Sequence, residues 1–141
     1  NKKYKIYVFV GNGECNEGSV WEAIMSASSL KLDNLIAIVD NNGFQNEIEP
    51  SETILDTTDF GEKWESFGWN VCNVGGHQIS ELYNSFIECN VKNKPKVIIA
   101  HTIKGKGVSF MENDVKWHHS IPSENEIKIA RKELKMKNNN I

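Results

Sequence analysis

Four short apolar runs, each closed by a glycine-bearing or polar turn, constrain this chain more than any other feature. Lys5-Ile6-Tyr7-Val8-Phe9-Val10 ends at Gly11-Asn12-Gly13, and Leu35-Ile36-Ala37-Ile38-Val39 ends at Asp40-Asn41-Asn42-Gly43. Trp69-Asn70-Val71-Cys72-Asn73-Val74 ends at Gly75-Gly76-His77, and Val97-Ile98-Ile99-Ala100-His101-Thr102 passes into a loop at Lys104. Runs with little polar alternation suit parallel strands covered on both faces. Between them the apolar spacing changes to three and four. Val20, Ala23, Ile24, Ala27 and Leu30 predict a helix over 19–30, and Phe60, Trp64 and Phe67 a short one over 60–67. Ile79, Leu82, Phe86 and Ile87 predict a helix over 79–91 with those side chains turned inward, and Ile127, Ala130 and Leu134 one over 124–137. Residues 44–60 read as a loop with one helical turn. The sum is an α/β fold, a mostly parallel sheet with helices on both faces and right-handed crossovers. Residues 1–122 are expected to form the α/β unit and 123–141 a C-terminal helix with a frayed tail. The first run reads as a central strand whose missing neighbours would leave hydrophobic edges open. The chain is therefore expected to be part of something larger.

Charge and cysteine content exclude several function classes. Sixteen Lys plus Arg against 19 Asp plus Glu give a formal charge of −3 in 141 residues, which gives no support to nucleic-acid binding. No apolar run approaches the roughly 20 residues of a bilayer span. Asn1-Lys2-Lys3-Tyr4 opens directly into a strand pattern without a signal-peptide core. Cys15, Cys72 and Cys89 are odd in number and irregular in spacing, which disfavours a disulfide framework or a zinc motif. A reducing, cytoplasmic setting is expected.

In open parallel sheets ligands bind beyond the carboxyl ends of the strands. The first turn offers the Gly13 N–H and a following helix dipole to a phosphate, yet neither nucleotide fingerprint is present. Amide oxygens at two strand ends suggest ligands for a hard cation beside a diphosphate. The alternatives stay open at this level. Asn12 between glycines also suits a left-handed turn, Asn42-Gly43 is also an ordinary turn, and Glu17 is also an early-helix carboxylate favoured by the dipole. Lys104 and Lys106 could meet a phosphate or carry solvated charge. His77 could simply hold a loop, and His101 reads as a satisfied buried histidine. His118 and His119 would point apart in an extended segment. Trp64, Trp69, Phe60 and Phe67 read as core or interface.

Longer motifs narrow this. Gly11-Asn12-Gly13-Glu14-Cys15-Asn16-Glu17-Gly18, Trp21-Glu22-Ala23, residues 31–43, Phe67-Gly68-Trp69, Gly76-His77, Lys94-Pro95, residues 103–113 and Trp117-His118 together resemble the transketolase family over about residues 4–120. The resemblance implies a partial thiamine-diphosphate-binding fold, the later part of the family's diphosphate-binding domain. It implies transfer of a two-carbon ketol unit between sugar phosphates. On the matching motifs, Asn12 stands at a metal-binding aspartate, Asn42 at a metal-binding asparagine, and the Phe44 carbonyl is the third protein ligand to Mg²⁺. Gly11, Gly13 and Glu14 belong to the cofactor-binding turn, with the Gly13 N–H facing the diphosphate, and Ile103 packs near the cofactor. The resemblance further implies that Glu17 helps couple paired sites and that His118 lies near the diphosphate and sugar. These two are the catalytic candidates.

Two departures stand out. Asn12 removes a negative charge from a cation shell that prefers anionic oxygen, and His119 replaces a usual glycine. The family's activating glutamate has no counterpart, so a complementary chain with the pyrimidine-binding domain, in an oligomer, is implied. A non-catalytic scaffold or regulatory module, and part of a related 1-deoxyxylulose-5-phosphate-synthase-like enzyme, are the other readings. The stretch from Lys104 to Asn113 favours transketolase over the latter.

Overall fold

The computed structural model describes residues 4–45 and 60–138. Four parallel strands, β1 (Ile6–Gly11), β2 (Leu35–Asn41), β3 (Asn70–Gly75) and β4 (Lys96–His101), pair in the order β1-β2-β4-β3. The apolar runs become strands because a two-residue period places each alternate side chain on one of two covered faces. Val10, Val39, Val97 and Ile99 point to the face that carries α1 (Gly18–Ser29) and α2 (Phe60–Ser66). The alternate residues Tyr7 and Lys96 reach α3 (Ile79–Ile87) on the other face. Helices on both faces of an all-parallel sheet are what the alternation of runs predicts.

The first face carries the main core cluster. Ile24 and Ala27 of α1 are buried against Val10, Val39 and an aromatic cluster of Trp21, Phe60, Trp64, Phe67 and Trp69. Trp64 and Trp69 meet edge to face with centroids 4.8 Å apart, and Trp69 Nε1 donates to the Ile24 carbonyl at 2.9 Å. The Ala23 and Leu30 positions of the predicted α1 stripe are exposed. Leu30 is the C-cap, where the helix leaves the sheet.

Three expectations are corrected. The first run is not central. Among the described residues β1 pairs only with β2 and forms an edge, so Tyr7 and Phe9 remain 57% and 70% exposed. The third helix is shorter than predicted and ends at Ile87, with Cys89 (φ 54°) and Asn93 (φ 63°) in left-handed conformations. Ile79 and Ile87 do not pack inward. Ile79 sits in the first turn, just past the carboxyl end of β3, and Ile87 stands about 100° round the helix from the half-buried Phe86. The last helix forms where expected, as α4 (Glu124–Asn138), with Ile127 and Leu134 exposed. Polar contacts hold that helix instead. Glu133 accepts from the Ser109 N–H (2.7 Å) and hydroxyl (2.6 Å), and Ser123 with Glu126 forms a reciprocal capping box. The helical turn expected within 44–60 falls almost wholly outside the described residues.

Candidate functional site

Parallel strands bring their carboxyl ends to one side, and there the turns enclose a cleft of about 360 Å³. Its walls are the β1 turn, the segment after β2, Lys104 and His118. The first wall forms because β2 continues to guide the chain one residue beyond β1: the Asn12 N–H donates to the Asp40 carbonyl at 3.1 Å. Asn12 is 2% exposed. Its backbone is not left-handed, because it prolongs the pairing with β2, so the αL-turn reading of Asn12 falls. Gly13 is right-handed too (φ −65°), and its glycine identity answers to space: a Cβ there would lie 2.9 Å from Gln45 Cγ and 3.1 Å from Gln45 Cα. Asn16 Nδ2 donates to Gln45 Oε1 at 2.7 Å and ties the same two segments.

Asp40 organises the strand ends. Its carboxylate accepts from Asn42 Nδ2 at 3.0 Å and from the Thr102 hydroxyl, joining the ends of β2 and β4. Asn42 Oδ1 accepts the Phe44 N–H at 2.9 Å, and Gly43 takes φ 79°. The ordinary Asn-Gly turn is therefore present, while the Asn42 oxygen keeps a second lone pair at the cleft.

The opposite wall is a braced loop. Gly105 (φ 72°) and Gly107 (φ 105°) allow it to fold back, and the Asn113 N–H donates to the Lys104 carbonyl at 2.9 Å. Glu112 accepts the Gly107 N–H at 3.0 Å and pairs with Lys106 at 3.5 Å, so Lys106 is committed to the loop. Trp117 Nε1 donates to the Phe110 carbonyl at 2.7 Å. This bracing carries a 3-10 turn, Val115–His118, which places His118 Nδ1 3.1 Å from Lys104 Nζ. An ammonium only donates, so His118 Nδ1 is the acceptor and the ring proton sits on Nε2. The segment is not extended here, and His118 and His119 stack edge to face at 4.5 Å instead of pointing apart.

The cleft thus gathers Gly11, Asn12, Gly13, Glu14, Glu17, Asn42, Phe44 and His118, together with Asn16, Gln45 and Lys104. Ile103 is not on its wall. Its N–H donates to His77 Nε2 at 2.8 Å, which gives His77 the loop-holding role. His101 is exposed instead of buried and lies between Asn41 and Asn73. Asn16, Gln45 and Asp40 are absent from the sequence-derived set. A carboxylate immediately before Asn-Asn-Gly at a strand end was the one signal for Asp40.

Charges in the cleft are mixed. Glu14 accepts the Gly11 N–H at 3.2 Å, and Glu17, the N-cap of α1, is exposed at the mouth. Burial, with the Glu14 carboxylate in a lesser part, pushes the Cys15 thiol up to about 12, so it stays protonated and is no nucleophile. No three His, Cys, Asp or Glu side chains cluster to hold a metal among the described residues. Carboxamide and carbonyl oxygens opposite an ammonium remain, a donor set that fits a hard cation carried with an anionic ligand.

Comparison with known proteins bears on the family and the fold. The model of the transketolase, thiamine diphosphate binding domain, matches residues 2–141. An apulose-4-phosphate transketolase subunit of Phocaeicola vulgatus is 39% identical over 132 residues, covering 93% of this chain and 47% of that protein. Human transketolase is 41% identical over 116 residues, 82% of this chain and 18% of that one. The solved transketolase of Campylobacter jejuni superposes with a TM-score of 0.82 at 30% identity, covering 94% of this chain and 21% of that chain. The chain spans about half the length of the apulose-4-phosphate transketolase subunits it matches.

Proposed function

Because this chain belongs to the transketolase family, through its thiamine diphosphate binding domain, we propose that it supplies the metal- and diphosphate-facing half of a two-chain transketolase site. One observation carries the reading: Asn12, Asn42 and Phe44 meet in one cleft, with Lys104 and His118 across it. Asn12 and Asn42 Oδ1 and the Phe44 carbonyl would hold Mg²⁺. The Gly13 N–H, at the start of a 3-10 turn, together with Lys104, would receive the diphosphate. Gly11 and Glu14 shape that turn, and Ile103 backs the loop that carries Lys104. Thiamine diphosphate, when bound, supplies the electron sink for ketol transfer, while the protein supplies binding and orientation.

His118 has its proton on Nε2 and lies at the rim, where it can donate to the oxygen of an incoming sugar phosphate. Glu17, exposed at the N-terminus of α1, is placed to meet a neighbouring chain and couple paired sites. Relatives named as transketolase subunits support a complementary chain. That chain would carry the pyrimidine-binding domain and the activating carboxylate, and the assembly would work in the cytoplasm. Ketol transfer between sugar phosphates belongs to that assembly and not to this chain alone.

Calorimetry on the chain reconstituted with its complementary partner tests this. Mg²⁺-dependent thiamine diphosphate heat is expected, and Asn12→Asp is expected to tighten it at least tenfold by restoring an anionic ligand. The carboxamide at Asn12 favours one second reading, a scaffold derived from this domain. A stable complex with no cofactor heat, unchanged by Asn12→Asp, would establish that scaffold instead.

A further inference from the structure

The three oxygens assigned above to a cation belong to residues that all lean on a fourth, Asp40. It is the penultimate residue of β2, half-buried, and stands behind the cleft instead of on its wall. Its backbone carbonyl accepts the Asn12 N–H at 3.1 Å. Its carboxylate divides between two strands: Oδ2 accepts from Asn42 Nδ2 at 3.0 Å, and Oδ1 accepts from the Thr102 hydroxyl. Asn42 Oδ1 in turn accepts the Phe44 N–H at 2.9 Å. Asn12, Asn42 and Phe44 are thus all held, directly or through one intermediary, by Asp40.

A carboxamide is two-faced, with an accepting oxygen on one side and a donating NH2 on the other. A cation can use only the oxygen. Around Asn42 the two neighbours fix the choice, because the Asp40 carboxylate only accepts and the Phe44 N–H only donates. A reversed amide would set oxygen against carboxylate and NH2 against N–H. The bond to Asp40 is the charge-assisted one and the stronger of the two. It also draws on the NH2 side of the amide and makes Oδ1 the better donor to a metal, as outer-shell carboxylates do. Two carboxamides and a carbonyl bring no charge of their own, so Asp40 places a negative charge one hydrogen bond behind them.

The carboxylate is itself held in place. The Thr102 N–H donates to the Asn41 carbonyl at 3.2 Å and prolongs the pairing of β4 with β2. On its other side the Thr102 methyl group lies against Gly76, where an added Cβ would collide with it and stand 3.0 Å from the His101 carbonyl. Gly76 therefore leaves the room in which Thr102 turns its hydroxyl to Asp40.

We propose that Asp40 is the positioning residue of the cation site, holding the Asn42 oxygen outward and lending charge to an otherwise neutral set of ligands. This rests on the reading of the cleft as a metal and diphosphate half-site. Asp40 acts through Asn42 and does not itself meet the cation.

Two measurements test it. In nitrogen–proton correlation spectra of the full wild-type chain, free of cation and cofactor, one Asn42 Nδ2 proton is expected to exchange with solvent far more slowly than those of exposed asparagines. Exchange as fast as theirs would overturn the proposal. The second is calorimetric titration of Mg²⁺ into the reconstituted complex at saturating thiamine diphosphate. Asp40→Asn is expected to weaken Mg²⁺ binding roughly 10–100-fold. Combining Asp40→Asn with Asn42→Asp is expected to recover most of that loss, because carboxamide and carboxylate trade places and a carboxylate oxygen stays free for the cation. A merely structural Asp40 predicts a second lesion and no recovery. Unchanged Mg²⁺ affinity in Asp40→Asn, beside normal wild-type heat, would overturn the positioning role and leave the half-site reading standing. Absence of wild-type heat would overturn both. Where Asp40→Asn fails to fold, the wild-type exchange measurement still decides.

Discussion

The two faces of the sheet are built from the same four strands and finished very differently. On one, α1 and α2 lay an aromatic layer over Val10, Val39, Val97 and Ile99, and the side chains of that cluster are buried or half-buried. On the other, α3 is the one helix over the sheet among the described residues. It covers Ile36 and Ile98, but leaves Tyr7, Phe9, Ile79 and Tyr83 more than half exposed. Its polar contacts to the sheet include one buried ammonium and the Gly75 N–H donating to Glu81 at 2.7 Å, beside one ring contact, Tyr7 with Phe86 at 5.9 Å. The first face is held by apolar area and ring geometry, which act without a partner. The second is held by polar contacts over a sheet whose edge strand lacks a neighbour among the described residues. The stability of this chain should therefore reside mainly on the first face. The second leaves large apolar side chains open.

The sharpest way to break this contrast is Trp64→Ala. The ring is 1% exposed and touches Trp21, Phe60 and Trp69, so removing it should cost about 3–5 kcal/mol. Denaturant titration followed by circular dichroism measures this. A loss below about 1 kcal/mol would show that the aromatic layer is not what holds the fold.

Lys96→Met carries the question to the second face. Methionine fills the space of the stem but leaves three carbonyls at the end of α3 without their donor, at a cost of about 1–3 kcal/mol. The pH dependence separates this from a packing effect. Burial holds the Lys96 ammonium below the ordinary lysine range, so above its folded pKa the unfolded chain binds the extra proton. Wild-type stability should then rise with pH up to about 10.5 and fall again as pH drops back through the depressed value. The methionine variant should lack that slope in parallel titrations.

How far each region is legible in the sequence follows the same division. The strands, α1 and α2 are legible because continuous apolar runs and three-four spacing report burial directly. Ile79, Ile87 and Leu134 carry the same spacing and are nevertheless exposed, because periodicity says which side chains share a face and not whether anything covers it. The edge position of β1 is illegible for a related reason, since a strand's place in the sheet depends on what pairs with it. In the cleft, the glycine and asparagine turns were readable as strand ends. The hub at Asp40 was not, because its two partners, Asn42 and Thr102, come from different strands. The stacking of His118 on His119 required the 3-10 turn that an extended reading missed.

The smallest expected effect is also the most informative about the open face. Phe9→Ser removes a ring that is 70% exposed, on the edge strand, facing the same side as Tyr7. In the isolated chain this should change stability by no more than about 0.5 kcal/mol, because little apolar area is lost from the folded state. Sedimentation should show less self-association, since a bare strand edge flanked by aromatic rings is a site for non-native pairing. In a reconstituted complex the same substitution should weaken assembly measurably if the partner covers β1. A loss of about 2 kcal/mol in the isolated chain would show that Phe9 is already covered in solution. The two faces would then be equally complete, and the division of labour between them would fail.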